Sequence, residues 1–272
     1  MARYQIFLAA ALLSASALYG PAAAQDAVPD YIAAAVSDPN RPAEDTARDA
    51  NRKPAESVAF STMKPGDTVV ELLPGGGYFT RIFSRVVGPE GHVYVVVPFE
   101  NMQRNPTADA AVQAIAADPN YSNVTVIHPP IRAIGVGEPQ EITYLSPPIT
   151  VYPMGEQADV AWTSLNYHDL KNRYDVDAMV AMNESIYDTL KPGGVYVVVD
   201  HAANPTTGFS MTGTLHRVED FAVESEVMAA GFISEEQGLF LENPDDDHTL
   251  PVFNDAIRGH TDQFIIRFRR PE

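Results

Sequence analysis

The chain has 272 residues, 45% of them hydrophobic, with 18 basic against 36 acidic side chains and a net charge of −18. That length and apolar content suffice for one sizeable core and favour one domain over two. So acidic a surface repels phosphate backbones, which argues against nucleic acid as a partner.

The N-terminus reads as an export signal. Arg3 gives the positive start, Ile6 to Leu18 a short apolar run, and Ala22 to Ala24 small residues for cleavage. The run is too short and too rich in Ala and Ser for a membrane span. Residues 1–24 are therefore read as a signal peptide whose removal leaves no stable membrane anchor, with an uncleaved anchor as the alternative. Cysteine is absent, so neither a disulfide nor a lipid-bearing cysteine is possible. The expected location is the periplasm or the outside of the cell.

Residues 25–61 read as a helical lead-in segment, with Pro42 and Pro54 as punctuation. Asp67 to Leu73 is a buried strand, and Tyr78 to Val87 a helix with apolar residues near helical spacing. Gly91 to Val97 is the second strand, Ala108 to Asp118 a helix, and Asn123 to Ile127 the third strand. Residues 129–157 are rich in Pro and Gly and read as an insertion or lid. Ala158 to Leu165 is the fourth strand, followed by an "NYHD" loop, Asn166 to Asp169. Val176 to Leu190 is a helix, "KPGG" its terminating turn, and Val195 to Asp200 the fifth strand. A last helix closes at Gly231, and Phe232 to Leu241 with Asp262 to Arg270 make a terminal antiparallel pair.

Strands alternating with helices imply an α/β fold, a doubly wound and mostly parallel sheet covered on both faces. In such sheets ligands bind beyond the carboxyl ends of the strands, near the switch in strand order. The informative residues then follow each strand: Glu71 to Tyr78, Pro98 to Glu100, His128, Asn166 to Asp169, and Asp200 with His201.

The stretch "VVELLPGGGYFT", Val69 to Thr80, joins a strand-end acid to Gly75-Gly76-Gly77. A dinucleotide site would want G-x-G-x-x-G, and the third glycine is missing. Glu71 would also repel a pyrophosphate, whereas a carboxylate suits a cation. A tight strand-to-helix turn with no ligand is the plain alternative.

The stretch resembles the first motif of class I S-adenosylmethionine-dependent methyltransferases, an acid followed by G-x-G-x-G. Glu71, Gly75 and Gly77 match it; Leu73 replaces the first glycine. "LKPGG" with the fifth strand, and "ADVAWTSLNYHD", resemble two further landmarks of that superfamily in the right order. "RPAEDTARDANRKPAE", "NYHD" and "TLHRVEDF" resemble an exported subgroup of predicted methyltransferases. The resemblance implies a methyltransferase-like domain over residues 62–272 with a Rossmann-like sheet. It implies S-adenosylmethionine as cofactor, S-adenosylhomocysteine as product and a small-molecule acceptor. Expected cofactor contacts are Glu71, Pro74, Gly75, Gly76, Gly77, Tyr78, Asn166 and Tyr167. Glu71 would serve the donor's ammonium, and Gly75 and Gly77 a close backbone approach. In the superfamily an acid ending the second strand holds the ribose. Val97 stands there, so Glu100 is assigned that role.

Methyl transfer to an OH, NH or SH group needs a base. His168, with Asp169 beside it, and His201 lie on the functional edge and are the catalytic candidates. Loop bracing is the bland alternative for each. His168, Asp169, Asp200 and His201 have the side chains of a metal site, but no tight ligand spacing supports one, and no metal is assigned. Two rival functions stay open. One is a non-catalytic binding protein on a degenerate methyltransferase fold, favoured by Val97 and by "HPP" (His128 to Pro130) after the third strand. The other is a metal-dependent enzyme built on His168 and His201. Tyr78, Trp162 and Tyr167 form a candidate aromatic wall, with a core role expected for Trp162. Arg48 and Arg52 are expected to pair with Glu44 and Asp45. The role of His216 is left open between closing the pocket and capping the last helix.

Overall fold

A computed structural model describes residues 27–129, 154 and 156–272. The proposed export signal and nearly all of the proposed insertion lie outside these residues.

The lead-in segment forms four short helices, α1 (Asp30–Val36), α2 (Ala43–Thr46), α3 (Asp49–Arg52) and α4 (Pro54–Phe60). The break between α3 and α4 has a local cause. Pro54 disfavours helical backbone at the residue before it, and Lys53 turns left-handed with φ 40. Pro54 then opens α4 at a position where its missing N–H is harmless.

The core alternates β1 (Thr68–Leu72), α5 (Tyr78–Val87), β2 (His92–Val96), α6 (Phe99–Arg104), α7 (Ala110–Ala116) and β3 (Val124–Ile127). It continues through β4 (Ala158–Ser164), α8 (Tyr167–Lys171), α9 (Val176–Thr189) and β5 (Leu190–His201). The described chain closes with α10 (Asp220–Ala229), β6 (Ile233–Gly238) and β7 (Gln263–Arg269). Among the described residues these strands make one seven-stranded sheet in the order β3-β2-β1-β4-β5-β7-β6. The pairs from β3 through β5 are parallel, and β7 is antiparallel to both β5 and β6. The order reverses between β1 and β4, the switch point where such sheets take ligands.

Strand alternation sorts the core into two layers. Val69, Val93, Val95, Trp162 and Val197 face the layer shared with α1, α4, α5 and α7. Val70, Leu72, Ala161, Tyr196 and Val198 face the layer shared with α8, α9 and α10. No described helix is long and apolar enough to cross a membrane.

Three local expectations change. "KPGG" lies within β5 as an irregularity: Ala158 pairs with Leu190 but Val160 already pairs with Val195. The "NYHD" residues Tyr167 to Asp169 begin helix α8. Helix α6 was not anticipated, and it places Glu100 in a helical first turn.

Candidate functional site

Beyond β1 the chain makes a strained descent into α5. Leu73, Gly75 and Gly77 all have positive φ, at 54, 57 and 79. The turn closes through Gly77 N–H donating to the Pro74 carbonyl at 3.0 Å. A Cβ added at Gly75 or Gly76 would meet nothing within 4 Å, so these residues front open space. At Gly77 it would lie 2.2 Å from Ile115 Cδ1. Gly77 thus serves helix packing against α7, which leaves Gly75 and Gly76 as the glycines of the turn that face open space.

Glu71 sits beneath this turn and is 3% exposed. Thr80 Oγ1 donates to its Oε2 at 2.5 Å. Burial pushes the Glu71 carboxyl up to about 7, against the Thr80 hydrogen bond and the charges of Arg52 and Arg81. Arg81 donates from Nη1 to Asp45 and to the carbonyls of Gly76 and Gly77, which fixes the turn to the lead-in segment.

Tyr78 is pinned from the same side. Its hydroxyl donates to Asp49 Oδ1 at 2.6 Å, and Arg41 grips that carboxylate with two nitrogens. The guanidinium carbons of Arg48 and Arg52 lie 4.9 and 4.7 Å from the Tyr78 ring centre, a cation–π arrangement. Arg48 pairs with Asp45 as expected. Arg52 does not: it lies over Tyr78 and Phe79 and makes no ion pair among the described residues. Burial, then the charge of Arg48, pull its pKa down, so an anion beside it would be welcome.

The expected aromatic wall does not assemble. Trp162 packs on Phe79 and Phe83 inside one core layer. Tyr167 lies in the opposite layer, its hydroxyl donating to Glu226 at 2.8 Å and accepting from Asn183. Asn166 bridges the two loops of the switch point: Nδ2 donates to the carbonyls of Leu73 and Ser164. Both Asn166 and Tyr167 therefore hold the site's walls in place.

Val97 is 3% exposed and part of the core, so β2 presents no acid at its end. His128 Nδ1 donates to the Val97 carbonyl at 2.9 Å. The other ring nitrogen is 3.2 Å from Asp109, a carboxylate that arrives just before α7. Sequence order alone conceals that acid, because it precedes β3 by a whole helix.

On the other side of the switch point, Asp200 organises the histidines. Fully buried at the end of β5, it accepts the His168 backbone N–H at 2.8 Å, His168 Nδ1 at 2.7 Å and the His201 N–H at 2.7 Å. Burial opposes its charge, but His168 and these hydrogen bonds hold it below the usual carboxylate range. Burial likewise opposes a charged His168, yet Asp200 and Asp169 raise it above the ordinary imidazole value. Its Nδ1 proton is fixed on Asp200, which leaves Nε2 toward Asp169 and His216. His201 behaves differently. Burial drives it down to about 4, and its Nδ1 bonds Thr261 Oγ1 at 2.7 Å. A ring that weakly basic is a poor base near neutral pH, and one of its nitrogens is committed to Thr261. His216 packs 5.4 Å from the His168 ring, with its Nδ1 3.4 Å from Asp169 Oδ1.

No family model matches the sequence. A protein-L-isoaspartate O-methyltransferase of Ignicoccus hospitalis is 34% identical over 73 residues, which cover 27% of this chain and 32% of that protein. The chain thus spans about a third of the length of that relative. The structure resembles N-methyltransferase NodS from Bradyrhizobium japonicum at TM-score 0.52, with 14% identity and coverage of 84% of this chain and 99% of that one. It also resembles a SAM-dependent methyltransferase from Aquifex aeolicus at TM-score 0.50 and 14% identity, covering 78% of this chain and 86% of the other. With the strand order and the acid-and-glycine turn, these likenesses establish that the chain has the class I methyltransferase fold.

Proposed function

We propose that the protein transfers a methyl group from S-adenosylmethionine to a small molecule outside the cytoplasm. The observation that carries this reading is the β1 turn, where Gly75 and Gly76 front open space beside the buried Glu71 carboxylate. The residues fit the cofactor's charges. Glu71 suits the ammonium, and Arg52, which has no ion pair among the described residues, suits the carboxylate. When bound, the cofactor supplies a methyl group made electrophilic by the sulfonium. The chain's own part is to hold donor and acceptor in line, and positioning of this kind is worth roughly 7–11 kcal/mol. His168 is the acceptor-side residue, with Asp200 orienting its ring. Glu100 remains the proposed ribose partner, and the signal-like pattern of residues 1–24 supports the proposed compartment. Calorimetry with S-adenosylmethionine and S-adenosylhomocysteine tests the reading; no heat of binding at millimolar ligand would refute it.

Glu71 gives this binding a pH dependence. Its folded pKa is raised, so its stabilising contribution is present below about 4.5 and is lost as pH rises through about 7. A ligand ammonium favours the ionised form and reverses that loss. S-adenosylhomocysteine affinity is therefore expected to rise roughly five- to tenfold between pH 6 and pH 7.5. Glu71→Gln should bind more weakly and show a flat profile in the same titration.

A further inference from the structure

His168, Asp169 and His216 offer one ligand atom each within 4.8 Å of one another. His168 and Asp169 are neighbours on α8, and His216 comes from the segment between β5 and α10. His168 Nε2 is 3.6 Å from Asp169 Oδ1, and His216 Nδ1 is 3.4 Å from the same oxygen. The first separation is too long for a hydrogen bond, and the second pair is not aligned as one. Both are close to the spacing of atoms that share an ion: two ligands at about 2.0–2.1 Å from a metal lie about 2.9–3.4 Å apart.

Three further observations favour an ion. His216 Nδ1 is buried without a hydrogen-bond partner. His216 also holds φ at 55, a strained backbone for a bulky residue, of the kind that collects at functional sites. Asp200 accepts a hydrogen bond from His168 Nδ1 at 2.7 Å, which is the carboxylate–imidazole support given to metal-ligating histidines. The ion has a route in, because the Asp169 and His216 side chains are 41% and 29% exposed.

We propose that His168, Asp169 and His216 form a mononuclear site for a divalent transition-metal ion. Two imidazoles and a carboxylate select a borderline-soft ion such as Zn²⁺ over Mg²⁺ or Ca²⁺. Asp200 is the supporting residue and not a ligand; His201, tied to Thr261, is outside the set. Three protein ligands leave a position open, as in catalytic zinc sites. An acceptor hydroxyl on that position would be acidified by the ion, which takes over the role that a free His168 ring would otherwise have. The site stands independently of the cofactor reading.

The test is titration of the chelator-treated full chain with Zn²⁺ by calorimetry and with Co²⁺ by visible absorption. One equivalent is expected to bind, with Co²⁺ bands that Zn²⁺ displaces. His216→Ala and Asp169→Asn should each weaken Zn²⁺ binding at least tenfold, with Asp200→Asn also weakening it about 10–100-fold. Melting curves check that each variant folds, and Asp169→Asn, altered at an exposed side chain, carries the test should His216→Ala not fold. Absence of one-to-one binding, or an affinity unchanged in the folded variants, would overturn the site. Either result leaves the cofactor titration to be judged separately.

Discussion

Gly75→Val is expected to abolish cofactor binding, by 10²-fold or more, in a protein that still folds, whereas Gly77→Val should fail chiefly by losing stability. Both residues are left-handed, so each substitution carries a backbone penalty of about 1–2 kcal/mol, larger for a β-branched side chain. They differ in what the new side chain meets. At Gly75 it projects into the open space that the ligand would occupy. At Gly77 it meets Ile115 at a distance no packed Cβ adopts, and overpacking adds about 1–3 kcal/mol. Calorimetry with S-adenosylhomocysteine and thermal melts of both variants separate the two outcomes. Gly75→Val binding within threefold of the parent would show that the ligand does not cross this turn.

His168→Ala should lower turnover about 10²-fold or more once an acceptor is in hand, the scale of a lost acid–base group. The same change strands Asp200, whose buried charge loses its ring partner, and breaking such a pair costs about 3–5 kcal/mol. His168→Gln separates the effects, because an amide can still donate to Asp200 but cannot act as a base near neutral pH. Low turnover in a stable His168→Gln protein assigns the ring to chemistry. Recovered turnover in that variant would make His168 a brace. Chelation of the parent protein distinguishes a metal-bound ring from a free one.

The sheet was legible because its strands carry their signal locally. β1 and β4 are short apolar runs bounded by Asp67, Pro74 and Asn166, and α5 has apolar residues at helical spacing. α6 and α8 were not legible, since "FENMQR" and "YHDLK" are too short and mixed to show a period. The candidate cofactor side could be read from one continuous motif, although the different surroundings of Gly75 and Gly77 depend on α7. The candidate acceptor side could not. Asp200 lies 32 residues beyond the ring it orients, and His216 reaches that ring only because the chain after β5 returns over α8. Arg48 and Arg52 show the same limit: a helical repeat predicts both to pair with acids, yet after the break at Lys53 Arg52 lies over the Tyr78 and Phe79 rings instead, with no ion pair among the described residues.

The position of β7 has a consequence for how the chain matures. This last described strand lies between β5 and β6, in register from Val195↔Arg269 to His201↔Gln263 on one side and from Ile233↔Arg269 to Gly238↔Ile265 on the other. Until it docks, both neighbours expose open ladders, and pairings more than sixty residues apart in sequence are still unmade. Non-local pairing of that kind is slow and leaves partly built sheets prone to aggregation. A ribosome delivering the chain from its N-terminus therefore cannot release a closed sheet before residue 269 has emerged.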